Sequence, residues 1–161
     1  MSRLLIIEDK HDIEVQLHAD GTLSYDTPWF RVDGDGDPHN TFHDPCWQAD
    51  TSLHGPDGRP VNALFVPYAV ANPIMAQRVP GIVLGCEAEV TFRGITVKCV
   101  MADIGPRKKI GEGSIRLAEL LGMKRSPLNG GQEGEPVHWK IYPGKAAVID
   151  GIHYALKPLK G

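Results

Sequence analysis

The stretch EAEVTFRGITVKCVMAD, residues 87–103, is the part of the sequence that most narrows the choice of fold. Apolar and polar side chains alternate on both sides of Arg93-Gly94, which is the pattern of a β-hairpin with a two-residue turn. Centring the hairpin on that turn places Val90 opposite Val97 on an apolar face and Glu89 opposite Lys98 on the other face. The sequence therefore predicts a half-buried hairpin with a Glu89–Lys98 ion pair.

Frequent turn residues separate the other apolar segments. The chain has 18 glycines and 13 prolines in 161 residues, a density that indicates many turns between short strands. Its 42% hydrophobic and 23% charged residues are typical of globular proteins. Residues 3–7, 13–17 and 61–70 are predicted as strands. The chain is therefore predicted to be mainly β, with residues 1–161 forming a single domain.

The segment from Gly21 to Pro60 is crowded with Gly, Pro, Asp and His. It is predicted to be a functional loop that lines a cleft, because structureless loops longer than ~12–15 residues are uncommon in compact domains unless they serve a function. Its DGDGDP motif also raises the possibility of a calcium loop. The twelfth residue counted from Asp33 is Asp44 rather than Glu, and no helices flank the motif, so turn formation is favoured over a metal site.

Charge and composition argue against several functional classes. The formal net charge is -3 and the basic residues are scattered, so no nucleic-acid partner is expected. No apolar run approaches the ~18 residues of a membrane span. The first residues lack the apolar core of a signal peptide, so a cytoplasmic protein, or one exported without a cleaved leader, is expected. The three cysteines have no zinc-site spacing and are predicted to be free thiols, with no metal or other cofactor.

Two acids lie at the predicted ends of secondary-structure elements. If the hairpin alternation continues, Asp103 follows Cys99 and Met101 on the apolar face, where partial burial favours the protonated acid. Glu112 precedes SIRLAELLG, which is predicted to be a two-turn helix ending at Gly122, and the helix dipole favours the charged form of the carboxylate. Opposite protonation states suit general acid and base catalysis. Considered alone, each acid is also explained by turn formation or helix-end stabilisation.

Short motifs surround these two acids. They are DIGP at 103–106, IGEGSI at 110–115, LA at 117–118, SP at 126–127 and NGG at 129–131. Together they resemble the catalytic segment of the fungal-type chitosanases, glycoside hydrolase family 75. Upstream, DTS at 50–52 and ALFVPYAVANP at 63–73 resemble the part of that family that precedes the catalytic hairpin. The resemblance covers roughly residues 45–145, with Ile104 where the family usually has Thr.

The resemblance implies an enzyme that hydrolyses β-1,4-linked glucosamine polymers with inversion, with Asp103 and Glu112 as the catalytic pair. The protonation argument assigns Asp103 as the acid and Glu112 as the base. The DxGP strand end and the Gly-rich turn are also similar to the catalytic corner of double-psi β-barrel glycosidases and lytic transglycosylases. The expected fold is therefore a six-stranded double-psi-like β-barrel with one or two short helices, and the expected partner is a polysaccharide.

Six further residues are predicted to bind this substrate through ammonium-pairing carboxylates or sugar-stacking rings. They are Asp33, Asp35, Asp37, Asp50, Trp47 and Tyr68. Two alternatives stay open. One is a peptidoglycan-cleaving lytic enzyme of bacterial or phage origin that uses Asp103 alone as the acid. The other is a non-catalytic carbohydrate-binding domain.

Overall fold

The structure is a computed structural model that describes residues 2–8 and 11–159. Its elements, in chain order, are β1 (Ser2–Glu8), β2 (His11–Leu17), β3 (Leu23–Asp33), β4 (Tyr68–Ala71), α1 (Pro73–Arg78), β5 (Cys86–Phe92), β6 (Ile95–Ile104), β7 (Glu112–Ser114), α2 (Ile115–Leu120), β8 (Gln132–Ala146), β9 (Val148–Ile149) and β10 (Ile152–His153). Strands make up 46% and helices 8%, so the prediction of a mainly β fold is confirmed. Within the described ranges, no helix has the length and apolar character needed to span a membrane.

Six strands close into a barrel in the order β3-β7-β4-β6-β5-β8, because β8 pairs with both β5 and β3. Two neighbouring pairs, β3–β7 and β4–β6, are parallel, and the other pairs are antiparallel. The β1–β2 hairpin extends the sheet beyond β3, and β9 and β10 form a small separate hairpin. The predicted six-stranded barrel with two short helices is confirmed.

Two apolar clusters cover opposite faces of the central strands. Ala69 of β4 and Met101 of β6 belong to the first cluster, which includes the indole of Trp139. Tyr68 and Val100, the preceding residues of the same strands, belong to the second cluster. Because both faces of these strands are buried, their sequences read as continuous apolar runs rather than as alternating ones.

The predicted hairpin is correct in its register. β5 and β6 pair Val90 with Val97 and Glu89 with Lys98. The predicted ion pair is wrong, because the Nζ of Lys98 lies 3.4 Å from Glu87, the diagonal neighbour, while Glu89 accepts a hydrogen bond from a tyrosine hydroxyl of β8. Long side chains on a sheet reach diagonal neighbours as readily as direct ones, so register alone does not decide such pairs.

The prediction that residues 21–60 form one loop is wrong at its start, because β3 occupies Leu23–Asp33. Pro28 lies within this strand, where the pairing with β8 shifts between Thr27 and Trp29. A bulge of this kind accommodates a proline, which cannot donate a hydrogen bond to a regular ladder. The residues after Asp33 contribute to a cleft, as predicted.

The predicted strand over residues 61–70 is too long, because β4 begins only at Tyr68. Before it, the backbone N–H groups of Phe65 and Val66 donate to the carbonyl of Asn62, which makes this part a turn. Val61 and Ala63 of this part belong to the second cluster, whereas Phe65 is 71% exposed. The apolar composition of residues 61–66 therefore reflects packing of a turn and not a place in the sheet.

Ser114 connects the end of β7 to α2. Its Oγ accepts the N–H of Leu117 as the N-cap of α2, accepts the N–H of Tyr68 and donates to the carbonyl of Val66. The predicted helix before Gly122 is confirmed, and that glycine has a φ of 79° that suits a helix C-terminus. These bonds anchor the strand that carries Glu112 to its neighbours.

Candidate active site

An open cleft of about 970 Å³ lies beside the C-terminal ends of β3 and β6. Its walls carry six carboxyl groups and two cationic side chains, and we call it the acidic cleft. They are Asp33, Asp35, Asp44, Asp103, Glu112 and Glu133, with Arg31 and Lys109. Both acids of the resemblance motifs therefore lie on the wall of one cleft.

Asp103 lies at a buried strand end, as predicted, with 6% of its surface exposed. It does not lie on the predicted face of β6. A register shift leaves Ala102 without a partner in β4 and pairs Asp103 with Val70, whereas Met101 pairs with Ala69. Paired residues share a face of a sheet, and Val70 belongs to the second cluster. The bulge thus breaks the alternation that the sequence argument assumed.

Two hydrogen bonds from the preceding loop hold the carboxylate of Asp103. The backbone N–H and the hydroxyl of Ser52 donate to its Oδ1 at 3.2 and 3.1 Å. Ser52 belongs to the DTS motif of the resemblance. A hydroxyl contact to the acid is therefore present even though Ile104 replaces the family's threonine.

Asp103 forms a cluster with two acids of the DGDGDP turn, Asp33 and Asp35. One carboxylate oxygen of each lies within 4.8 Å of the others. The backbone fixes this arrangement, because the N–H of Asp35 donates to Asp33 and the N–H of Gln48 donates to Asp35, each at 2.9 Å. The hydroxyl of Tyr68 donates to the carbonyl of Asp35 at 2.8 Å. We call these three acids the Asp cluster.

The Asp cluster retains a proton more readily than isolated aspartates do. Burial raises the pKa of Asp33, and the neighbouring carboxylates of Asp103 and Asp35 raise it further. Burial also raises the pKa of Asp35, with a further contribution from its contact with Asp103. Because carboxylates at this distance repel one another, Asp33 and Asp35 favour their protonated forms.

Replacing Asp33 by Asn should stabilise the fold at neutral pH. A carboxyl group whose pKa is raised on folding binds more protons in the folded state, so stability falls as pH rises above the unfolded value of about 3.9. Removing the Asp33 carboxyl group should remove this loss of stability. The loss amounts to about 1.4 kcal/mol for each pH unit over which the folded state holds one extra proton. Melting temperatures measured between pH 4 and 8 test this expectation.

The exposed Asp12 supplies the matched control, since Asp12→Asn removes an aspartate without touching the cluster. Its melting curve should follow that of the parent at every pH. If Asp33→Asn lowered the melting temperature relative to the parent as much at pH 7 as at pH 4, that result would contradict the proton retention argued for the Asp cluster.

Glu112 is the first residue of β7 and does not lie in the first turn of a helix. The N-cap of α2 is Ser114, so the helix N–H groups do not hold the carboxylate. The expectation that Glu112 is favoured in its charged form is wrong in sign, because burial raises its pKa. Lys109 and Arg31 oppose this rise. Glu112 therefore differs from the Asp cluster in having two cations beside it.

Two predicted substrate-binding acids do not belong to the described wall of the acidic cleft. Asp37 is 1% exposed, and its carboxylate accepts the backbone N–H groups of His39 and Thr41, so it shapes a turn. Asp50 is exposed and pairs with His54 at 2.6 Å. Asp33 and Asp35, in contrast, are on the wall as predicted.

The two predicted stacking rings also have other contacts. The indole N–H of Trp47 donates to the carbonyl of Asp37 at 2.8 Å, and its neighbours Cys46 and Gln48, not the ring, line the cleft. Tyr68 is fully buried and acts through its hydroxyl. Neither ring is placed for stacking on a sugar in the cleft.

Sequence reasoning missed several polar residues of the cleft. Arg31 was missed because β3 was predicted to be part of a loop, and Lys109 lies in the turn between the two acid motifs, which carried no signal of its own. Glu133 lies in β8, which no sequence pattern had indicated. Asn129 carried a signal, since it belongs to the NGG motif that also lines the cleft.

The DGDGDP motif forms a tight turn, which is the interpretation that the sequence favoured over a calcium loop. Gly36 has a φ of 87°, and a Cβ there would lie 2.0 Å from the carbonyl oxygen of Val61. Asp44 accepts the N–H of Cys46 and is not part of the Asp cluster. The Asp cluster has a spacing that a cation could share, but acidic groups often converge without one, so the spacing alone assigns no metal.

Comparison of the chain with protein-family models finds no match, and comparison with curated proteins finds none.

Proposed function

We propose that the protein is a glycoside hydrolase that cleaves a β-1,4-linked amino-sugar polymer, such as chitosan, by an inverting mechanism with two carboxyl groups. One observation carries this proposal. The two acids that the chitosanase-like motifs single out, Asp103 and Glu112, come from different strands and lie on the wall of the same cleft.

Asp103 is proposed to protonate the oxygen of the leaving sugar. Asp103 lies at a buried strand end on the wall of the cleft, within 4.8 Å of two further carboxyl groups, and a general acid must lie within reach of the oxygen that it protonates. Ser52 fixes one oxygen of the carboxyl group through its two hydrogen bonds.

Glu112 is proposed to act as the base. In an inverting hydrolase, a carboxylate takes a proton from the water that attacks the anomeric carbon from the opposite face. Burial raises the pKa of Glu112 as it does those of Asp33 and Asp35, but at Glu112 two cations, Lys109 and Arg31, oppose the rise. This difference in neighbouring charge supports assigning the base to Glu112.

The charge of the cleft supports a cationic substrate. Six carboxyl groups face two cationic side chains on its walls. A polymer with free amino groups is positively charged near neutral pH and would be attracted to such a surface, whereas a fully acetylated polymer would not. Because exposed charges are screened within about 10 Å at 0.1 M salt, binding should weaken as ionic strength rises.

The proposal is tested by measuring reducing ends released from chitosan, from fully acetylated chitin and from purified peptidoglycan, with EDTA present throughout. We expect release from chitosan, a slower reaction at high salt, and an α-anomer as the first product by NMR. Anhydro-sugars released from peptidoglycan would instead identify a lytic transglycosylase. Binding without cleavage of any polymer would identify a carbohydrate-binding domain, and either result would overturn the proposal.

A further inference from the structure

An unusual buried carboxylate lies at the end of β1, outside the six-stranded barrel. Glu8 is 3% exposed, and its Oε1 lies 2.5 Å from Nη1 of Arg31 in β3. Its Oε2 has no hydrogen-bond partner in the described part of the chain, the sole buried side-chain oxygen or nitrogen there of which this is true. Burying a carboxylate with an unsatisfied oxygen is costly, so the ion pair is not explained by stability alone.

Arg31 is held in place on the side of Glu112. Its guanidinium lies 4.5 Å from the ring centre of Trp29, whose indole N–H donates to the carbonyl of Ile110 at 2.8 Å. Its backbone N–H donates to the carbonyl of Gly111 at 3.0 Å. In the parallel β3–β7 pair, Arg31 is the register partner of Glu112, so the two side chains project from the same face of the sheet.

We propose that Arg31 is a positioning residue that favours the carboxylate form of Glu112 against the effect of burial, and that Glu8 limits the strength of this effect by pairing with Arg31. The base role of Glu112 depends on the function proposed above, but the electrostatic relation between the three residues does not. The β1–β2 hairpin, which supplies Glu8, thereby becomes part of the active site although it lies outside the barrel.

Charged groups on the surrounding elements act on Glu112 in both directions. Lys109 and Arg31 lower its pKa, Glu8 and Asp103 raise it, and burial raises it most. Arg31 has a larger effect than Glu8. Removal of Arg31 and removal of Glu8 should therefore move the titration of Glu112 in opposite directions. A purely structural role for the ion pair would not produce opposite shifts.

The test is the titration of Glu112, followed by carbon NMR of its labelled carboxyl group. In Arg31→Met the pKa of Glu112 should rise by about half a unit or more, as expected for loss of a nearby charge in a partly solvated site. In Glu8→Gln it should fall. The double variant removes both charges, and the pKa of Glu112 should rise less in it than in Arg31→Met. It also serves if Arg31→Met does not fold, because it leaves no buried Glu8 without its partner.

Matched controls come from the same hairpin, where Arg3 and Glu14 form an exposed ion pair at 2.9 Å. Arg3→Met and Glu14→Gln should leave the titration of Glu112 unchanged. If the protein cleaves chitosan, the acidic limb of kcat/KM should move with the pKa of Glu112. Shifts in the same direction, or no shift in Glu8→Gln and in the double variant, would overturn this inference whether or not the protein is a hydrolase.

Discussion

Asp103→Asn is expected to lower the rate of chitosan cleavage by a factor of about 10² to 10⁴, the usual contribution of a general acid. The amide has the same shape as the carboxylic acid but cannot give a proton to the leaving oxygen. The Ser52 hydrogen bonds to Oδ1 can persist, so the fold should be retained. Because one charge leaves the Asp cluster, the melting temperature at neutral pH should hold or rise.

The rate is measured from initial reducing-end release, with Asp26→Asn as the control. Asp26 is exposed and pairs with His138 on the surface of the barrel, so its loss should leave the rate unchanged. An Asp103→Asn protein that keeps more than about a tenth of the parent rate would rule out Asp103 as the acid, since general acid catalysis is worth more than that.

Glu112→Gln should also stop turnover, because the glutamine cannot deprotonate the attacking water. Azide, a small anion that needs no deprotonation, should partly restore cleavage and form a glycosyl azide. Glu135→Gln is the matched control, since Glu135 pairs with Arg93 on the surface. Rates with and without azide, together with the anomer of the first product, measure these effects.

A transglycosylase would give a different result with the same variant. Its nucleophile is a hydroxyl of the sugar itself, so Glu112→Gln could stay active on peptidoglycan. Retained activity in Glu112→Gln would remove Glu112 from the mechanism and leave Asp103 as the sole catalytic acid. A β-anomer as the first product from chitosan would overturn the inverting mechanism.

The β5–β6 hairpin was predictable because alternation and a two-residue turn together determine its register. β3 and β8 were not, for an identifiable reason. Pro28 interrupts β3 at a bulge, and Gly134 and Pro143 interrupt β8, so both strands carry residues that usually mark loops. Barrel closure overrides these local signals, because both strands gain partners on two sides.

The sequence predicted which residues line the cleft better than it predicted the charge states that they prefer. The motifs placed Asp103 and Glu112 in one cleft, and the loop argument brought Asp33 and Asp35 there. The bulge in β6 and the burial of Glu112 depend on pairings between distant segments. Such pairings leave no local pattern, so the face of one acid and the charge preference of the other were predicted wrongly.

The pairing of β3 with β8, which closes the barrel, limits how soon the acidic cleft can form. Leu23 pairs with Ile141, so closing the barrel joins segments that are more than a hundred residues apart along the chain. Such non-local contacts must overcome loop-closure entropy before they contribute stability, and β-rich domains accordingly refold in about milliseconds to seconds. Glu133 reaches the cleft through the same strand, β8. During synthesis the full set of cleft carboxylates therefore assembles only after β8 has been made, so the complete acidic cleft exists only in the finished barrel.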